Sequence, residues 1–524
     1  MQKNLFLVCV LLLFAPTLAQ AQLADVQLGT PYPVKDAGIK HYYEKNNEVL
    51  TVKIDGDEIL LQKLSTDKLI EISRTTYEDF PKDFSYERTV EYHGRYYVFY
   101  TLYDKKAKVQ QLYSREIDFK KGAFVDLGKK ILEVPKDFLG FTYNTSFDES
   151  KMLIQYRLKP EKRNDDVSYD IIGLNVLDAN LSTVWGKEVT MPYTEKKMNN
   201  LDYSIDKDGN VYMLATVYDD NTTNEKKKGA DKANYHIELL KIQAKTANLK
   251  ITSVKVDTKF ISSIWLFDSP KGYMTCSGFY DNGSNRDAVD GIFFFKINPN
   301  NEVYDIRSFE IPLAIVNQYI SERAQRKNAK AEAKDEAQLA NLELKKIITE
   351  EDGSLLIIGQ REWTETRTMT TTNANGGTTT RTYYIYHFDD MLISKLDPAG
   401  KLEWMKKIPK RQSSSSYALT AYKYMKTDKS YAFFFLDNDK NDNLSMDSYP
   451  AAAGDGVTSL TAYLLDQYTG MPRRTKILNI KDVNGMELYQ FSPDRILPVD
   501  GKTFVIEFYK KKKQDILVKV VLKE

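Results

Sequence analysis

The chain has 524 residues, with 74 Lys plus Arg against 73 Asp plus Glu and a formal net charge of +1. That balance argues against a globally basic nucleic-acid binder, and the length suffices for a packed core without cross-links. Aromatics make up 12% of the chain and 35 residues are tyrosine, a composition that suits strands and wet binding surfaces.

The first predicted element is a leader. "MQKNLFLVCVLLLFAPTLAQAQ" carries Lys3, an apolar run from Leu5 to Phe14 and a small-x-small site at Ala19-Gln20-Ala21. It reads as a secretory signal peptide cut after about Ala21, leaving 22–524 as one domain. No later segment approaches the roughly 20 apolar residues of a spanning helix. Cys9 is expected to leave with the leader, so Cys276 remains without a disulfide partner. The expected address is the periplasm or outer-membrane association, with free secretion as the alternative.

From residue 41 onward one unit recurs: strand, tight turn, strand, variable loop, strand, tight turn, strand. Copies run over 41–73 and 90–132. The next begins at "DESKMLIQYRL" and ends at "LDANLSTVWGKEVTMP" (177–192). Another covers 203–256. One runs from "SPKGYMTCSGFY" to "INPNNEVYDIRSFEIP" (297–312), and one from "EDGSLLIIGQ" to "LDPAGKLEWMKKIP" (396–409). The seventh covers 422–478. The last, 496–522, holds only three strands. These units predict an all-β fold, a β-propeller of about eight four-stranded blades, with seven as the alternative count. "LADVQLG" (23–29) is placed to supply the missing strand and close the ring.

The extra residues fall between the second and third strands of the units: 159–168, 219–234, 281–290, the hairpin at about 361–388, and 437–456. A segment at about 317–340, rich in Ala, Glu, Lys and Arg without Gly or Pro, predicts a solvated helical insertion between units. In a propeller all of these emerge on one face, and loops on a rigid scaffold carry function disproportionately. The most distinctive is "REWTETRTMTTTNANGGTTTRTYYIYHF" (361–388). Folding about Asn375 puts Thr364, Thr366, Thr368, Thr370 and Thr372 on one side with Thr378, Thr380, Thr382, Tyr384 and Tyr386. Trp363, Glu365, Arg367, Met369, Arg381, Tyr383, Ile385 and His387 take the other side. The candidate binding residues are Trp363, Arg367, Arg381, Tyr384 and Tyr386 here, with Tyr143, Tyr203 and Trp265 on first strands, where rings could stack on sugars.

The same face carries basic clusters: Lys159, Lys162 and Arg163; Lys226–Lys228; Lys510–Lys513; and "DKKAK" (104–108). They suggest an anionic partner. "DNDKNDN" places Asp437, Asp439 and Asn441 at alternating positions, as calcium ligands often stand, but lacks the glycine and glutamate of an EF-hand. A solvated acidic loop is the favoured reading with calcium as the alternative, zinc at the scattered histidines is disfavoured, and no cofactor is expected. The chain contains no H-E-x-x-H, G-x-S-x-G, C-x-x-C or G-x-G-x-x-G. The histidines His41, His93, His236 and His387 are scattered. A carboxylate pair at a channel mouth stays open as a glycosidase or lyase site.

The repeated "DG…G…KLD..G…W.KKIP" pattern resembles the blades of secreted bacterial β-propeller proteins, largely of unknown activity. The resemblance covers most of the chain after the leader. It implies a fold and an exported location, and carries over no catalytic residue. The expected function is a non-enzymatic exported scaffold that binds an envelope protein or glycan through its loop-rich face, as a monomer or within a larger assembly. The alternative is a polysaccharide-active hydrolase or lyase.

Overall fold

The computed structural model describes residues 24–159, 167–228, 232–254, 259–283, 288–332, 338–372, 376–415, 422–453, 458–483, 485–489, 492–510 and 512–523. The leader, Lys162, Arg163, Lys511 and the hairpin tip 373–375 lie outside the described residues.

Among the described residues, apolar strand segments build eight antiparallel sheets of four strands in chain order, two of them with the outer strand in two pieces. Sheet 1 runs Ile39–Lys45, Glu48–Asp55, Glu58–Ser65, Glu71–Tyr77. Sheet 2 runs Ser85–Tyr92, Arg95–Asp104, Val109–Asp118, with an outer strand in two pieces, Ala123–Phe124 and Lys129–Pro135. Sheets 3, 4 and 5 begin at Phe138–Thr145, Met198–Ile205 and Phe260–Asp268. Sheet 6 holds Leu342–Thr349, the long pair Leu355–Thr372 and Thr378–Leu396, and Leu402–Ser414. Sheet 7 begins at Lys423–Lys426. In sheet 8, Ile496–Pro498, Thr503–Lys510 and Gln514–Leu522 are joined by Ala24–Leu28, which pairs antiparallel from Ala24↔Leu522 to Leu28↔Val518. The missing fourth strand of the last unit is thus supplied from the other end of the chain.

The middle strands are buried on both faces and read as near-continuous apolar runs, such as Val211–Tyr218 and Gly291–Ile297. The core is divided into clusters that each join two sheets. Leu50, Val52, Tyr96 and Val98 join sheets 1 and 2. Phe434, Leu464, Phe504 and Phe508 join sheets 7 and 8. Val49, Leu64, Val505 and Leu517 join sheet 8 back to sheet 1. The architecture is all-β and propeller-like.

The first strands of sheets 2 to 6 each carry a bulge, for example between Ile261 and Ser263. A bulge bends and twists its strand. Three first strands are also tied side by side. Asn144 Nδ2 donates to the Tyr203 carbonyl at 2.9 Å, and the Leu266 N–H donates to Asp202 at 2.6 Å.

Among the described residues, the helical part of the insertion is short. A turn of helix, Leu313–Val316, precedes the helix Glu322–Glu332, which buries no residue and carries an Arg326–Glu322 ion pair at 3.0 Å. Leu339–Ala340 is not helical: it pairs with Ala288–Val289 as a two-stranded ribbon. The loop 437–453 is pinned by its own polar side chains. Asp437 accepts from Asn441 at 2.7 Å and from Arg474 at 2.9 Å, and Asp439 pairs with Lys476 at 2.7 Å. The Asn441 side-chain oxygen accepts from the Ala451 N–H at 2.8 Å.

Candidate functional site: a projecting arm and its base

The hairpin of sheet 6 has the expected register. Trp363 faces His387, Thr366 faces Tyr384, Arg367 faces Tyr383 and Thr370 faces Thr380. The fourth strand ends at Ser414, opposite Tyr386, and the first begins at Leu342, opposite Arg361. Beyond these points the arm is a two-stranded ribbon. Eight residues from Glu365 to Thr372 project it about 25 Å past the sheet. The threonine side is exposed along this length, and Thr370 and Thr380 share a hydrogen bond at 3.2 Å. The other side is held by local pairs. Trp363 stacks on His387 with centroids 4.7 Å apart and planes 3° apart. His387 and Arg367 both contact Glu365, at 3.1 and 2.7 Å.

The base of the arm is rigid. Asp390 sits between Lys407 at 3.1 Å and Arg361 at 3.4 Å, and Lys345 pairs with Glu362 at 2.6 Å. Burial and the neighbouring Asp390 push the Asp389 carboxyl up to about 6. Burial pushes the Lys410 ammonium down to about 7. The other elaborations lock onto this base. Lys407 donates to the Gln318 carbonyl of the insertion at 2.7 Å. The Tyr319 N–H donates to the Met446 carbonyl at 2.6 Å. Arg411 donates to the Pro450 carbonyl at 3.3 Å and stacks over the Tyr449 ring at 4.5 Å. Insertion, arm and loop 437–453 therefore form one connected surface. On it Met369, Tyr383, Tyr384, Met446 and Tyr449 stay 44 to 55% exposed. Exposed aromatic and methionine side chains mark contact surfaces.

Of the sequence-selected residues, Trp363, Arg367, Arg381, Tyr384 and Tyr386 share the arm. Tyr143, Tyr203 and Trp265 do not join them. They pack against the cores joining sheets 2 and 3, 3 and 4, and 5 and 6. Burial raises the phenol of Tyr143 well above its usual range, and Arg88 stacks over its ring at 4.5 Å.

Sequence reasoning missed a second concavity on the opposite face, among the turns between first and second strands. A cleft of about 380 Å³ is lined by Asp148, Asp206, Asp208 and Asp268, with Lys241 and Tyr273. Asp268 accepts from the Phe147 N–H at 3.0 Å, and burial pushes its carboxyl up to about 6. Asp206 accepts from Asn210 and from the Tyr212 hydroxyl, at 2.8 and 3.1 Å. The available signal was an acid at or beside each of three successive turns: Asp148, Asp206 with Asp208, and Asp268 at the end of its strand. Among the described residues, no group of three or more His, Cys, Asp or Glu is arranged to hold a metal ion. No described helix is long and apolar enough to cross a membrane.

No family model and no curated protein sequence matches the chain. Solved structures align at low identity. An oligogalacturonate lyase in complex with manganese is 10% identical, over 95% of this chain and 98% of its own, at a TM-score of 0.32. An uncharacterized protein from Listeria monocytogenes is 9% identical, over 81% and 94%, at 0.36. A protein of unknown function from Bacteroides caccae is 12% identical, over 69% and 93%, at 0.28.

Proposed function

We propose that the chain is an exported, non-enzymatic binding scaffold. In this reading its eight sheets close a propeller ring, completed by Ala24–Leu28, and the arm face holds a protein or glycan of the cell envelope. Ring closure is supported by the apolar cluster between sheets 8 and 1. The observation that carries the binding role is the contrast along the arm: a base fixed by buried ion pairs, and an outer ribbon whose threonine side is left exposed. A two-stranded ribbon is marginal by itself, so a partner would order it.

The triple variant Met369→Ala, Tyr383→Ala, Tyr384→Ala is expected to keep the wild-type thermal midpoint, because these side chains bury little. It is expected to lose about tenfold or more in partner capture from an envelope fraction, as for the removal of aromatic hot spots. Undiminished capture would count against the arm. The second reading, a polysaccharide-active hydrolase or lyase, draws its support from the four aspartates of the opposite cleft.

A further inference from the structure

The junction between sheets 8 and 1 holds a second cavity, on the same face as the arm but formed by different sheets. Its volume is about 410 Å³, within the range of small-molecule sites. Val34 and Asp36 line it from the connection that follows Ala24–Leu28, and Lys40 from the first strand of sheet 1. Arg495 lines it just before the first strand of sheet 8, and Tyr509, Lys513 and Asp515 from the following hairpin.

The cations here make no close ion pair among the described residues, although the charges of Lys40 and Arg495 both act on Asp515. Lys40 is half-buried, and among the described residues it makes no ion pair and no side-chain hydrogen bond. Arg495 is half-buried beside it, and its Nη1 is buried without a hydrogen-bond partner. The Tyr509 hydroxyl and the Lys513 ammonium are likewise uncommitted among the described residues. Two cations facing one cavity without a hydrogen-bonded counter-ion repel each other and lose hydration, a cost that an anion would offset. Burial, followed by the Arg495 charge, lowers the Lys40 pKa.

The charge count sets the valence. Behind the cavity, Lys53 pairs with Glu507 at 2.7 Å and Asp515 at 3.5 Å. Lys40, Lys53, Arg495 and Lys513 thus stand against Asp36, Glu507 and Asp515, one positive charge in excess. We propose that this cavity is a monoanion site, taking a carboxylate or phosphodiester group through Arg495, Lys40 and the Tyr509 hydroxyl. A planar guanidinium beside an ammonium suits either oxyanion. The site shares no residue with the arm and stands whether or not the arm binds a partner.

Calorimetric titration of the full chain tests the site. The probes are sodium glucuronate, sodium dimethyl phosphate and neutral glucose, at constant ionic strength. Wild-type protein is expected to bind at least one of the two monoanions and not glucose. Arg495→Gln and Lys40→Gln are each expected to weaken that binding by about tenfold, and the arm triple variant to leave it unchanged. Whichever monoanion binds more tightly identifies the group recognised. Lys40→Gln guards against mere misfolding. Removing an unpaired half-buried cation is expected to leave the ligand-free thermal midpoint equal to or above that of wild type. Absence of binding by both monoanions, wild-type binding by either variant, or a lowered midpoint for Lys40→Gln would each overturn the proposal.

Discussion

Lys53→Met is expected to destabilise the protein by about 3 to 5 kcal/mol, the usual consequence of stripping one partner from a buried ion pair. Lys53, Glu507 and Asp515 all have side chains 0% exposed. Tyr32 and Tyr42 donate to the two oxygens of Glu507, at 2.8 and 2.5 Å. The cluster lies where sheet 1 meets sheet 8, so the substitution leaves two carboxylates facing each other at the point where the two ends of the chain join. Burial by itself would raise the Glu507 pKa, but the Lys53 charge and hydrogen bonds from Lys53, Tyr42 and Tyr32 outweigh it and hold the carboxyl well below its ordinary value. A carboxylate depressed in the folded state contributes stability above its unfolded pKa, and that contribution is lost as pH falls through the folded one. The gap between wild type and Lys53→Met, read as urea midpoints, should therefore be widest near neutrality and narrow below about pH 4.5. Adding Glu507→Gln to Lys53→Met should restore part of the loss.

Gly278→Ala is expected to cost about 3 kcal/mol, at the upper end of overpacking. Gly278 lies in Met274–Asp281, opposite Ile264 and next to the bulge at Ser263. A Cβ there would meet the Ser263 carbonyl oxygen at 1.9 Å and Ile264 Cα at 2.8 Å. Both are backbone atoms, so no rotamer relieves the clash and the first strand of sheet 5 must move. That strand is also the one tied to Asp202 of sheet 4. Gly56→Ala is the control. Its φ is +58° with nothing within 4 Å, so only the left-handed backbone penalty of about 1 kcal/mol applies. Thermal midpoints of the two variants separate the mechanisms.

Sequence periodicity revealed the repeat because each middle strand buries both faces and each turn needs Gly, Asp or Asn. The register of the arm was legible for the same reason: a two-residue period on both sides of Asn-Gly fixes which residues face which. The cross-sheet contacts were not legible. Lys53 and Glu507 stand 454 residues apart, and each looks like a solvent-facing residue of an alternating strand. Only the meeting of the first and last sheets makes them partners. That Tyr143, Tyr203 and Trp265 pack between sheets was not legible either, because a bulge changes which residues of a first strand face a neighbouring sheet. Sheets 3, 4 and 5 all carry such bulges. The turn-face cleft escaped notice because its turns are short. Its depth comes from three neighbouring sheets, not from loop length.

The arm-face account is tested most directly by site-specific crosslinking in the source cell. A photoreactive phenylalanine analogue would replace Tyr384 on the arm in one protein and Tyr273 in the opposite cleft in another. The account predicts one discrete crosslinked partner from position 384 and none from position 273. Crosslinking from position 273 alone would contradict it and place the working site among the aspartates.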